Sequence, residues 1–138
     1  MWFVRVFHQL PVYAVDIRQQ VFVEEQGFTE EFDAEDKQAI HLVGFYDGKS
    51  VATSRIIKKP DGSYMIGRIA VREEFRKRGL GSKIVRAAES VIKNDSGHTI
   101  YIHAQEHASG FYKKLGYEET GEYDFEECCP HVMMVKEI

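Results

Sequence analysis

The sequence predicts an α+β fold in which a mixed, mostly antiparallel sheet of six to seven strands carries flanking helices. Three observations predict it. Asp47-Gly48 and Pro60-Asp61-Gly62 are turn signals that separate three β-rich runs, so these runs form an antiparallel meander. A helix beginning near Leu80 keeps its apolar residues on one side. That helix leads to a fourth β-rich run, Thr99 to Ala104, which a helical crossover allows to lie parallel to the run ending at Val71.

Taken in order, Trp2 to Val6 is a short β-rich stretch, and Pro11 suits the first turn of a helix. Val15, Ile17, Val21 and Phe22 recur at helical spacing up to Gly27, a helix stop. The segment FTEEFDAEDKQ that follows is acidic and irregular. Ile40 to Tyr46, Ser50 to Ile57 and Tyr64 to Val71 are the strands of the meander. From Leu80, the residues Ile84, Ala87, Ala88, Val91 and Ile92 share one helix face, and Lys83, Arg86 and Lys93 share the other. Asn94 to Gly97 breaks this helix. Ala108 to Leu115 is a short helix closed by Gly116, and a final strand pair turns near Cys128 to Pro130.

With 138 residues, the chain is the size of one domain, so residues 1–138 are expected to share one core. Hydrophobic residues at 43% and charged residues at 29% match a soluble globular protein and exclude disorder. A formal charge of −4 argues against a general affinity for nucleic acid, so any anion site must be local. No apolar run approaches the roughly 20 residues that span a bilayer, which argues against a membrane partner. The first residues lack a secretory leader, and the expected location is cytoplasmic. The two cysteines, Cys128 and Cys129, are adjacent, which disfavours a disulfide between them and suits a reducing compartment. No metal is expected, because Cys128, Cys129 and His131 lack the spacing of a closed zinc site.

The stretch VREEFRKRGLGSKIV, from Val71 to Val85, joins a strand to a helix through Arg72, Arg76, Lys77 and Arg78 and the glycines Gly79 and Gly81. The first amides of a helix have no carbonyl partners, and the helix dipole adds positive potential, so this turn can bind an anion. Glycines let a phosphate approach the main chain. The Walker pattern is absent, and G-x-G-x-x-G fails because position 84 is Ile.

The run from Arg76 through Gly81 resembles the R/Q-x-x-G-x-G/A signature of the Gcn5-related N-acetyltransferases (GNAT). Ala108 to Tyr117, ASGFYKKLGY, is similar to the family's downstream segment A-x-x-[LF]-Y-x-K-[LM]-G-[FY]. Two matched segments separated by a helix and a strand are far more specific than either alone. In the first half, VFVEEQGF, Asp33, Asp36 and Ala39-Ile40-His41-Leu42 are similar to a small bacterial subgroup.

The resemblance implies the GNAT fold, with a splayed parallel pair in mid-sheet and coenzyme A as a co-substrate. It implies that amides around Arg76, Lys77, Arg78, Gly79, Leu80, Gly81 and Ser82 hold the pyrophosphate. Main-chain groups of Ile69, Ala70 and Val71 would align the pantetheine arm. Tyr112 falls where the family places a phenol near the sulfur, the candidate general acid. Phe111 and Leu115 are read as packing residues, with Phe111 also flanking the cofactor. Gln105 stands where many members carry Asn, and is read as a cofactor contact in its place.

Glu24, Glu25 and His41 are candidates for the base, with Glu24 and His41 preferred and His103 and His131 behind them. Seven acidic residues between Glu24 and Asp36 are positioned in sequence to attract a cationic amine. The expected partner is an amine acceptor, a small molecule in preference to a protein. Exposed sheet edges leave room for a homodimer. A silent acyl-CoA sensor and a nucleotide-binding regulator are the competing readings.

Overall fold

A computed structural model describes residues 1–29, 31–127 and 129–138. Seven strands form one sheet in the order β1-β2-β3-β4-β5-β7-β6. They are β1 Trp2–Phe7, β2 Ile40–Tyr46, β3 Lys49–Lys58, β4 Tyr64–Val71, β5 Thr99–Gln105, β6 Glu118–Glu126 and β7 Cys129–Glu137. The helices are α1 Val12–Arg18, α2 Leu80–Asn94 and α3 Ser109–Lys114. Strands β2, β3 and β4 form the expected meander, and every pairing is antiparallel except β4 with β5. The last two strands pair as a hairpin, and β7 inserts between β5 and β6.

Both sheet faces are covered, which accounts for the near-continuous burial along β2 and β3. On one face, Leu80, Ile84, Val85, Ala88 and Ile92 of α2 pack with Leu42, Ile56, Ile66 and Ile100. On the other, Ala14, Ile17, Val21, Phe22 and Phe28 pack with Val43, Phe45 and Ala70. Adjacent Leu42 and Val43 therefore serve opposite faces, as the two-residue strand period requires. Ile84 and Ile92 are fully buried, and truncating either to Ala would cost about 2–5 kcal/mol.

The helix expected up to Gly27 is α-helical only to Arg18. It continues as a π-helical segment, Gln19–Glu25. There Gln26 N–H bonds the Val21 carbonyl five residues back at 3.2 Å. The wider turn lets both Val21 and Phe22 face the sheet. The acidic segment, expected to be irregular, contains one 3-10 turn, Ala34–Lys37.

Candidate active site

Strands β4 and β5 pair only at Tyr64 with Ile100 and Met65 with Tyr101, then diverge. The cause lies in β4. Between Thr53↔Ala70 and Arg55↔Gly67 the register shifts, so Arg68 and Ile69 together oppose the single residue Ser54. Arg68 has φ 50°, a left-handed conformation that costs a non-glycine residue roughly 1–2 kcal/mol. Its guanidinium is anchored by the Glu31 carbonyl at 3.0 Å and by the Asp33 and Glu31 carboxylates. Such a bulge bends its strand and opens the sheet.

The opening is a cleft of ≈ 330 Å³, lined among others by Phe22, Gln26, Ile69, Ala104, Gln105 and Tyr112. Arg72 N–H bonds the Val51 carbonyl on β3 at 2.9 Å. By strand alternation, the Val71 main chain faces away from β3, toward β5, whereas Ala70, buried and opposite Thr53, faces β3. Of the three residues expected to align a substrate arm, Val71 therefore has an available amide, its carbonyl accepting from Arg76 at 2.9 Å, and Ile69 lines the cleft.

At the β4 end of the sheet, Gly79 caps α2 in the left-handed conformation, with φ 75°. Lys83 is the first helix amide to find a carbonyl, that of Gly79 at 3.3 Å. The amides of Leu80, Gly81 and Ser82 precede the ladder. A side chain at Gly81 would come within 3.2 Å of the Phe111 ring. Phe111 is 36% exposed, so the packing role expected for it is corrected: only Leu115 is core. The four basic residues have separated roles. Arg76 forks onto Glu25 at 2.8 and 2.9 Å and donates to the Val71 carbonyl. Arg72 bonds Ser50 and Gln20. Arg78 lies over the Phe75 ring, and Lys77 is exposed.

Tyr112 is buried at the cleft wall with its ring 5.0 Å from that of Phe111. Burial pushes its phenol well above the ordinary 10.0, so it keeps its proton at neutral pH and can donate it. Gln105, at the end of β5, donates to Gln26 Oε1 at 2.8 Å and accepts from His107.

The preferred base candidates do not reach the cleft. Glu24 is exposed on the π segment, outside the cleft lining. His41 is buried beneath the acidic segment, where Nε2 donates to the Asp36 carbonyl at 2.9 Å. Burial lowers its pKa, which keeps it neutral. The acids expected to attract an amine are largely consumed by arginines. Arg18, itself buried, holds Glu31 and Asp36, while Arg55 holds Asp33 and Asp36. Sequence gave no signal for these pairs, because the partners are far apart along the chain. His103 and His131, the weaker candidates, both line the cleft and stack with ring centroids 4.6 Å apart.

The sequence pattern of the acetyltransferase (GNAT) domain matches residues 14–138, and the chain belongs to this family. The uncharacterized protein YyaT of Bacillus subtilis is 37% identical over an alignment of 131 residues that covers 91% of this chain and 87% of YyaT. The crystal structure of Escherichia coli ElaA superimposes with a TM-score of 0.86 at 28% identity, covering 99% of this chain and 100% of ElaA. An acyl-CoA N-acyltransferase from Pseudomonas aeruginosa gives a TM-score of 0.82 at 25% identity, covering 99% of this chain and 98% of that one. An aminoglycoside 6'-N-acetyltransferase complexed with coenzyme A shares the fold, with a TM-score of 0.76 at 17% identity, covering 98% of this chain and 96% of that one. Among the described residues, no helix is long and apolar enough to cross a membrane.

Proposed function

We propose that the chain transfers the acetyl group of acetyl-CoA to a primary amine, a small-molecule acceptor in preference to a protein, within a ternary complex. The observation that carries this reading is the two-residue pairing of β4 and β5 beside a turn whose amides precede the helix ladder. Acetyl-CoA, as substrate, supplies a thioester and a diphosphate. The amides from Gly79 to Ser82 hold the diphosphate at the positive end of α2, with Lys77 and Arg78 adding charge. Arg76 orders the same turn through Glu25. The Val71 main chain aligns the pantetheine arm as an added strand, with Ile69 and Ala70 shaping its bed and Gln105 and Phe111 flanking it.

The amine lone pair attacks the thioester carbonyl carbon; the C–N bond forms and the C–S bond breaks. Tyr112 gives its phenolic proton to the departing sulfur and regains one from solvent. The amine nitrogen gives its proton to water in the cleft, since Glu24 and His41 stand outside the cleft lining.

Thiol release from acetyl-CoA over a panel of primary amines tests the proposal. Amine-dependent release is expected. An acyl-CoA sensor would instead bind acetyl-CoA and release no thiol with any amine.

A further inference from the structure

His103 on β5, Glu126 on β6 and His131 on β7 bring their side-chain donor atoms within 4.8 Å of one another. The strand registers explain why. Gln105 pairs with His131 and Asp124 pairs with His131, so the two-residue period sets His103, His131, Asp124 and Glu126 on one face of three adjacent strands. All three candidate donors line the cleft.

With both imidazoles neutral, the state that binds a metal, the hydrogen bonds assign the ring protons. His131 Nδ1–H donates to the Cys129 carbonyl at 2.9 Å, which leaves Nε2 with its lone pair. His103 Nε2–H donates to Asp124 Oδ1 at 2.7 Å, which leaves Nδ1 with its lone pair. These bare nitrogens face one oxygen of Glu126, from His103 at 3.3 Å and from His131 at 4.0 Å. Three acceptors then converge without a donor among them, an arrangement that a cation completes. A carboxylate or carbonyl behind each ligating imidazole is also what orients such rings at metal centres.

We infer that His103 Nδ1, His131 Nε2 and Glu126 form a binding site for one divalent transition metal of the Zn²⁺ class, with a further coordination position open to the cleft. The donor set favours this class, since two imidazoles with one carboxylate suit Zn²⁺ and its neighbours and disfavour Mg²⁺ or Ca²⁺. For metal–ligand bonds near 2.0–2.1 Å, tetrahedral ligands lie about 3.3 Å apart. His103 and Glu126 already stand at that separation. Closing the remaining distances, 4.0 Å from Glu126 to His131 and up to 4.8 Å across the three donors, takes movement of the half-exposed Glu126 side chain and of the imidazoles as the ion binds. Three protein ligands with one open position are the composition of a reactive zinc site, whereas a structural site is closed by four.

The test is a Co²⁺ titration of the metal-free, untagged full chain, followed by visible absorption and by displacement with Zn²⁺. One equivalent of Co²⁺ should give the intense absorption of a four- or five-coordinate centre, and Zn²⁺ should abolish it. Glu126→Gln should weaken Co²⁺ binding at least about tenfold, and Asp124→Asn, which unties His103 Nε2, about tenfold. His98→Ala, a solvent-exposed control, should leave the titration unchanged. Absence of the absorption at millimolar Co²⁺, or a signal that survives Glu126→Gln undiminished, would overturn the assignment. Coenzyme A binding, measured on the same metal-free samples, reports separately on the acetyltransferase reading.

Discussion

Gln105 Nε2 donates to Gln26 Oε1 at 2.8 Å across the cleft, joining the end of β5 to the residue that follows the π segment. Both side chains line the same opening. Gln105 is therefore both a strut of the free protein and a candidate contact of the bound donor. Gln26→Ala and Gln105→Ala should each cost about 1 kcal/mol of stability, with a coupling of about 1 kcal/mol in the double mutant. Only Gln105→Ala should also weaken coenzyme A binding, about fivefold. Equal losses of affinity in both variants would make Gln105 a strut alone.

Gly79→Asp tests the anion turn. A side chain at Gly79 meets nothing within 4 Å, and Asp tolerates the left-handed φ better than most residues, so the fold should survive at a cost of about 1 kcal/mol. A carboxylate there would repel a diphosphate bound as proposed, and the coenzyme A dissociation constant should rise about a hundredfold. An unchanged constant by calorimetry would remove the turn from the site.

Tyr112→Phe tests the proton donor. The phenol is buried at the cleft wall and its hydroxyl is the only atom removed. Turnover should fall about a hundredfold while the KM for acetyl-CoA stays within about threefold. Because burial raises the phenol's pKa above 10.0, its ionisation should not reduce the parent rate as pH climbs to 10.0. Parent-like turnover in Tyr112→Phe would exclude the role.

Much of the fold was legible because local signals carried it: Asp47-Gly48 between β2 and β3, the one-sided pattern of α2, and the strand-helix-strand order that makes β5 parallel to β4. The glycines of the anion turn were equally readable, since Gly79 does adopt the left-handed conformation that glycine favours. What opens the sheet was not. Arg68 sits at positive φ because Glu31 and Asp33 hold its guanidinium, a tertiary cause without a local signature. The acidic segment read as bait for an amine, although Arg18, Arg55 and Arg68 hold much of its charge. His103 and His131 were readable singly, but their convergence with Glu126 depends on β7 lying between β5 and β6.

The buried ion cluster makes an acid-stability prediction. Burial opposes ionisation of Asp36, yet hydrogen bonds from Arg18, the Asp33 amide and Arg55 hold its pKa at about 2, below the ordinary 3.8. A depressed carboxylate stabilises the fold fully above 3.8 and loses that contribution as pH falls toward 2, a loss of about 2 kcal/mol. Glu31 has the opposite sign: burial raises its pKa, so its protonation on acidification returns part of the stability. Asp36→Asn should cost about 3 kcal/mol near neutral pH, and the deficit should shrink below about pH 4. Urea unfolding of both chains across that range checks it, and a deficit independent of pH would contradict the cluster's electrostatic role.

A crystal structure of the chain with coenzyme A decides whether the opening between β4 and β5 is the donor site. Diphosphate density is expected against the amides from Gly79 to Ser82 and the pantetheine arm between diverging β4 and β5, with the sulfur near the Tyr112 hydroxyl. Density for the ligand on any other surface, with β4 and β5 left empty between them, would contradict it.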